Sequence, residues 1–163
     1  FQKGEVRMND EKKRLKQLEF KFLEAIQAHQ NNDLDKSERI NKAILEVEPR
    51  LVEPNLELAY ISLRREQFED AQAYAEEAIR LCSLHGHWMD NFTDDELLSL
   101  SYSTLGESLR YQAQADEIIF GQPDKFSELM KHAKEAYNEA ASINPSNENA
   151  QYWGKGDKKW NSE

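Results

Sequence analysis

Cys82, His85 and His87 stand close together, with Asp90 and Asp94 just beyond them, and no other segment of this chain suggests reactive chemistry. A thiolate and two imidazoles can ligate zinc, with Asp90 or Asp94 as a fourth ligand. The spacing matches no established zinc module. The expectation is therefore a polar loop, without metal or cofactor, in which Trp88, Met89 and Phe92 cover the edge of neighbouring helices. His29 and His132 fall within helical patterns, at packing or groove positions. Acidic pairs such as Glu76–Glu77 and Asp94–Asp95 lie on a helix surface or at a helix start, where solvated charge is the ordinary reading. The sequence has no phosphate-cradling glycine loop, nucleophile elbow or HExxH pair. These absences point to a protein that is not an enzyme.

Composition narrows the classes further. Charged residues make up 32% of the 163 residues against 39% hydrophobic, which leaves little apolar material for a thick core. The formal charge is −10. An acidic surface repels phosphate backbones, so no nucleic-acid partner is expected. The basic clusters Lys12–Lys13–Arg14 and Lys158–Lys159 read as a solvated helix face and a polar tail. No apolar run approaches the roughly 20 residues that span a bilayer, so no membrane insertion is expected. A single cysteine cannot form an internal disulfide and fits a reducing compartment, so a cytoplasmic location is expected. A chain that opens at Phe1 rather than Met looks trimmed.

Helical periodicity organises the rest. Leu15, Leu18, Phe22, Ala25, Ile26 and His29 recur at steps of three and four, which predicts a helix from about Asn9 to Gln30. Asn31–Asn32–Asp33 breaks it, and Asp33 can cap a second helix from Leu34 to about Glu48, with Pro49 after its end. Pro54 predicts a third helix at its first turn. Glu66–Gln67 separates that helix from a fourth, Phe68 to Cys82. A loop containing Gly86 follows. Thr93 and Glu96 form a capping-box pattern at the start of a long helix expected to reach Ile119. Gly121–Gln122–Pro123 ends it, and a last clear helix runs to Ser142. Segment Glu148–Trp153 resembles the opening of a further unit.

These helices repeat. Slid by 34 residues, Ala25 falls on Ala59, Ser37 on Ala71, Asn41 on Ala75 and Ile44 on Ala78. A further slide of 62 carries Ala71 onto Ala133, Ala75 onto Tyr137 and Ala78 onto Ala140. A fixed period in this range marks stacked supersecondary units. The longer second step places insertions after Cys82 and between the paired helices of the third unit, both expected to protrude at one edge.

Leu58–Ala59 with Phe68, Ala71, Tyr74–Ala75 and Ala78 resemble the signature of the tetratricopeptide repeat family. Leu105–Gly106, Ala133, Tyr137, Ala140 and Pro145 repeat it in the third unit. The first unit diverges, with Ser37 and Asn41 at the usual alanine and aromatic positions. The resemblance covers about Lys21 to Pro145 and implies an all-α solenoid of antiparallel helix pairs. Residues 1–19 would be an N-terminal extension continuing the first helix, 20–146 the array, and 147–163 a capping segment with a polar tail.

In this family the first helix of each pair lines a concave groove. The resemblance therefore places a peptide-binding groove at Phe22, Ile26 and His29; at Leu56, Tyr60, Leu63 and Arg64; and at Ser103, Glu107, Arg110 and Tyr111. Packing inside the protein, or against the chain's own N-terminal extension, is the alternative for Phe22, Ile26 and Leu56. Family members that clamp chaperone carboxylates use Lys, Asn and Arg at positions matched here by Phe22, Ile26, Glu57, Leu100 and Thr104, so that subclass is not expected. The implied function is a scaffold or adaptor that holds a protein segment or helix. Two alternatives stand beside it: a regulatory or targeting segment of a larger enzyme, such as a glycosyltransferase carrying such repeats, and a homo-oligomer self-associating through its ends.

Overall fold

The computed structural model describes the backbone of residues 2–154 and the side chains of residues 9–154. Gly156 and the Lys158–Lys159 pair lie outside them. All regular structure among the described residues is helical, in eight helices. The chain divides into two compact units, Phe1–Pro49 and Arg50–Glu163.

The first unit is a hairpin of α1 (Gln2–Gln30) and α2 (Leu34–Val47). Helix α1 begins at Gln2 rather than near Asn9, because the strong helix formers Glu, Lys, Arg, Met and Gln sustain it where the apolar period fades. Asn32 makes the turn with a left-handed φ of 64°, a conformation asparagine tolerates better than most side chains. The Asp33 N–H donates to the Ala28 carbonyl at 2.8 Å, closing α1. The Asp33 carboxylate then accepts from the Lys36 N–H at 3.2 Å and opens α2. Ala25, Ser37 and Asn41 are wholly buried. Asn41 donates through Nδ2 to the Ser37 carbonyl at 2.9 Å, whereas its Oδ1 has no hydrogen-bond partner among the described residues. Arg14 pairs with the buried Glu48 carboxylate.

The second unit holds α3 (Val52–Arg64), α4 (Phe68–Cys82), α5 (Asp94–Ala113), α6 (Asp116–Gly121), α7 (Pro123–Ile143) and α8 (Glu148–Gly154). Neighbours in sequence pack on one another, and α5 also meets α3 and α7. Pro54 sits in the first turn of α3, where its missing N–H has no helical partner to lose. Ala59, Ala71, Ala75 and Ala78 have no exposed surface, so α3 and α4 approach closely. Val52, Leu56, Ala78, Leu81 and Leu97 form one core cluster. Leu109, Ala133, Tyr137, Ala140 and Ala150 belong to a second, shared by α5, α7 and α8. Buried hydroxyls on α5 satisfy themselves within the helix: Ser101, Thr104 and Ser108 donate to carbonyls four residues back at 2.8, 2.7 and 2.8 Å. Ser99 instead donates across to the Ala140 carbonyl of α7 at 2.7 Å.

Two expectations need correction. The helix expected to run to Ile119 stops at Ala113, and Ala115 adopts an extended conformation before α6 starts. Beyond the break Ile118 is buried at 5% exposure while Ile119 and Phe120 face outward. The segment after Cys82 also folds back onto α3 instead of protruding. Gly86 receives the Val52 N–H on its carbonyl at 3.0 Å and donates its own N–H to Leu81 at 2.9 Å. A Cβ there would lie 2.1 Å from the Arg50 carbonyl oxygen, so only glycine fits. Met89 is buried and Trp88 half-buried, whereas Phe92 remains 45% exposed.

Candidate functional site

The residues predicted to line a groove divide between the units. Phe22, Ile26 and His29 lie on α1, with Phe22 buried and the other two half-buried. The remaining eight lie on α3 and α5. Leu56 is committed to the core with Val52 and Leu81. Leu63 is half-buried and Arg64 exposed, two residues and one residue before α3 is capped at Arg65.

Tyr60 is where α3 and α5 meet. Its hydroxyl is hydrogen-bonded to Thr104, and burial, aided by Glu57 and Glu107, pushes the phenol up to about 12. Tyr60 therefore stays neutral and acts as a hydrogen-bonding group at physiological pH. Glu107 follows one turn after Ser103 on α5. Burial raises its carboxyl, opposed by the Arg110 guanidinium and a hydrogen bond from Asn149. Arg110 Nη2 stands 3.8 Å from Glu107 Oε1.

Helix α8 and Asn147 just before it supply partners that the sequence did not announce as site residues. Asn149 Nδ2 donates to Ser103 Oγ at 3.3 Å, and Asn147 Nδ2 donates to Ser99 Oγ at 3.0 Å. The Arg110 guanidinium lies 4.0 Å from the Trp153 ring centroid and 4.5 Å from that of Tyr111, a double cation–π arrangement. Arg110 Nε also donates to Tyr137 Oη at 3.2 Å. Arg110 and Ser103 are consequently buried and occupied by the chain itself, while Tyr111 stays exposed and stacks on Phe68 at 5.0 Å between centroids. The reading of Glu148–Trp153 as the opening of a further unit was the signal for these contacts. It did not reveal that Asn149 and Trp153 close over the third pair.

A scan against protein-family models and a search of the curated proteins return no match to this chain. The chemistry of the site therefore has to be read from the residues themselves. What remains open on the α3–α5–α8 face is a half-buried phenol, a half-buried carboxylate, and the partly exposed Leu63, Arg64 and Tyr111.

The segment considered for metal binding is engaged otherwise. His87 Nδ1 lies 2.6 Å from Asp94 Oδ1, and His87 Nε2 lies 2.5 Å from the Met89 carbonyl. Both neighbours accept hydrogen bonds, so the geometry favours the doubly protonated ring. Burial opposes that charge, but the Asp94 hydrogen bond, the Glu53 carboxylate and the Met89 carbonyl outweigh it and raise the His87 pKa. Glu53 in turn accepts the Trp88 N–H at 2.9 Å and the Met89 N–H. Burial, partly offset by these bonds, raises its carboxyl. Cys82 is a half-buried thiol that burial pushes up to about 11, so it is protonated at neutral pH. His85 is exposed at a left-handed turn with φ 57°. Among the described residues no three His, Cys, Asp or Glu side chains converge as a metal site. No helix among them is long and apolar enough to cross a membrane.

Proposed function

We propose that this protein is a helical-repeat scaffold of tetratricopeptide type that docks a segment of another protein across the α3–α5–α8 face. The observation that carries the reading is the meeting of Tyr60 with Thr104 and of Glu107 with Arg110 and Asn149, which joins side chains of three helices into one polar strip. Small residues at Ala59, Ala71, Ala75, Gly106 and Ala133 support the same architecture, since they permit the close helix approach on which such arrays depend. The groove of this proposal is narrower than the one inferred from the sequence. Ser103 and Arg110 act as supports beneath α8 rather than as contacts, and Tyr60, Leu63, Arg64, Glu107 and Tyr111 are the contacting set.

An occupant suited to this face carries one apolar anchor for Tyr60 and Leu63, a basic group for Glu107 and an acidic group for Arg64. The test is a selection of peptides from a random display library on the full chain, followed by affinity measurement on Tyr60→Ala/Leu63→Ala. Selected peptides should lose about 2 kcal/mol, roughly thirtyfold in affinity, when both anchors are truncated. Circular dichroism of the variant confirms that the helices persist. Peptides that bind parent and variant equally would place the docking site elsewhere.

A further inference from the structure

A second surface of the same unit shares no residue with that face. Helices α4, α5 and α7 enclose an open groove of about 620 Å³. Its floor is apolar, formed by Tyr102, Leu105 and Leu109 of α5 with Leu129 and Ala136 of α7. Its rim is acidic: Glu76 from α4, and Glu128, Glu135 and Glu139 from α7, all exposed. At Lys125 and Leu129 it runs into a second depression of about 790 Å³ beside the α3–α4 turn and α6. Five further carboxylates line that depression, among them Asp70 and Glu117. Against these stand one lysine, Lys125, and one histidine, His132, whose ring nitrogens lie 3.8 Å from Glu128 and 3.6 Å from Glu135.

We infer that this groove docks a basic amphipathic helix from a partner protein, with leucine-like side chains on the floor and lysine or arginine along the rim. Charge complementarity decides the occupant. An apolar helix flanked by acidic residues would meet like charge on both walls, whereas basic flanks meet opposite charge. Length agrees: Glu128 and Glu139 are about 17 Å apart along α7 at 1.5 Å per residue, which matches roughly three turns of a bound helix. Anchors at i, i+3 or i+4, and i+7 of that helix would fall along the row Leu109, Leu105 and Tyr102.

The experiment uses the full chain and two labelled synthetic probes, a leucine–lysine amphipathic helical peptide and its leucine–glutamate counterpart, read by fluorescence anisotropy. The lysine probe should bind and weaken as salt is raised, and the glutamate probe should not bind. Glu128→Lys/Glu135→Lys should weaken the lysine probe by about tenfold or more. Asp10→Lys/Glu11→Lys makes the same change in net charge on α1 and should leave affinity within about twofold. Glu128→Gln/Glu135→Gln gives a milder loss in the same direction should the reversal variant lose helicity. Equal weakening by both charge reversals, or no binding of the lysine probe, would overturn the inference. Loss of the lysine probe on Tyr60→Ala/Leu63→Ala would instead assign it to the α3–α5–α8 face and equally overturn it.

Discussion

Gly106 is where helix propensity and packing oppose each other most directly. It lies in the interior of α5, where alanine is favoured over glycine by about 1 kcal/mol. A Cβ at this position would approach Cγ, Cδ2 and Cε2 of Tyr137 at 3.0 Å, well inside ordinary carbon–carbon contact. The ring has little room to retreat. Tyr137 is wholly buried, its hydroxyl is held by Arg110 at 3.2 Å, and it stacks on Trp153 with centroids 6.2 Å apart. Overpacking of this kind costs about 1–3 kcal/mol. Gly106→Ala should therefore be net destabilising by about 1 kcal/mol, which lowers the melting midpoint by about 2–4 °C for a chain of this size. Gly106→Val adds a second methyl and β-branching, and should cost about 3 kcal/mol. Urea and thermal unfolding followed by circular dichroism measure both. In a Tyr137→Ala background Gly106→Ala should carry no such penalty, since Cγ, Cδ2 and Cε2 are gone. An alanine variant about 1 kcal/mol more stable than the parent, the full propensity gain, would refute the reasoning.

The His87 clamp predicts a pH dependence. His87 and Glu53 both have raised values in the folded protein, so each contributes stability that is complete below its unfolded value and lost as pH rises through its folded one. Parent stability should fall relative to His87→Gln as pH climbs from about 6.5 into the alkaline range, and parallel melting curves across that window would contradict the clamp. Asn41→Ala removes a buried carbonyl oxygen that has no partner among the described residues and installs the residue found at the matching Ala75. Its stability by urea titration should stay within about 0.5 kcal/mol of the parent or exceed it, and a loss of about 2 kcal/mol would show that Oδ1 is satisfied.

Local signals in the sequence carried most of the fold. The Thr93–Glu96 capping box forms with both of its hydrogen bonds at 3.1 Å, because a cap depends only on residues three apart. The alanines that recur at the repeat period all lack exposed surface, since a close helix crossing admits no larger side chain. The missed features depend on residues far apart in the chain. Nothing near Glu53 announces that it binds the Trp88 and Met89 amides, nor does the neighbourhood of Arg110 show that Trp153 will cover it. The break at Ala115 has no glycine or proline to mark it, so the helical pattern of the sequence extends to Ile119. For the candidate site, the resemblance to tetratricopeptide repeats singled out Tyr60, Glu107 and their neighbours, but could not separate open positions from those α8 occupies.

We propose that the α3–α5–α8 face holds a partner segment. Amide chemical-shift mapping of the isotope-labelled full chain with a display-selected peptide tests it most directly. Saturable shifts should cluster at Tyr60, Leu63, Arg64, Glu107 and Tyr111. Shifts confined to other surfaces, with these amides unmoved at saturation, would contradict it.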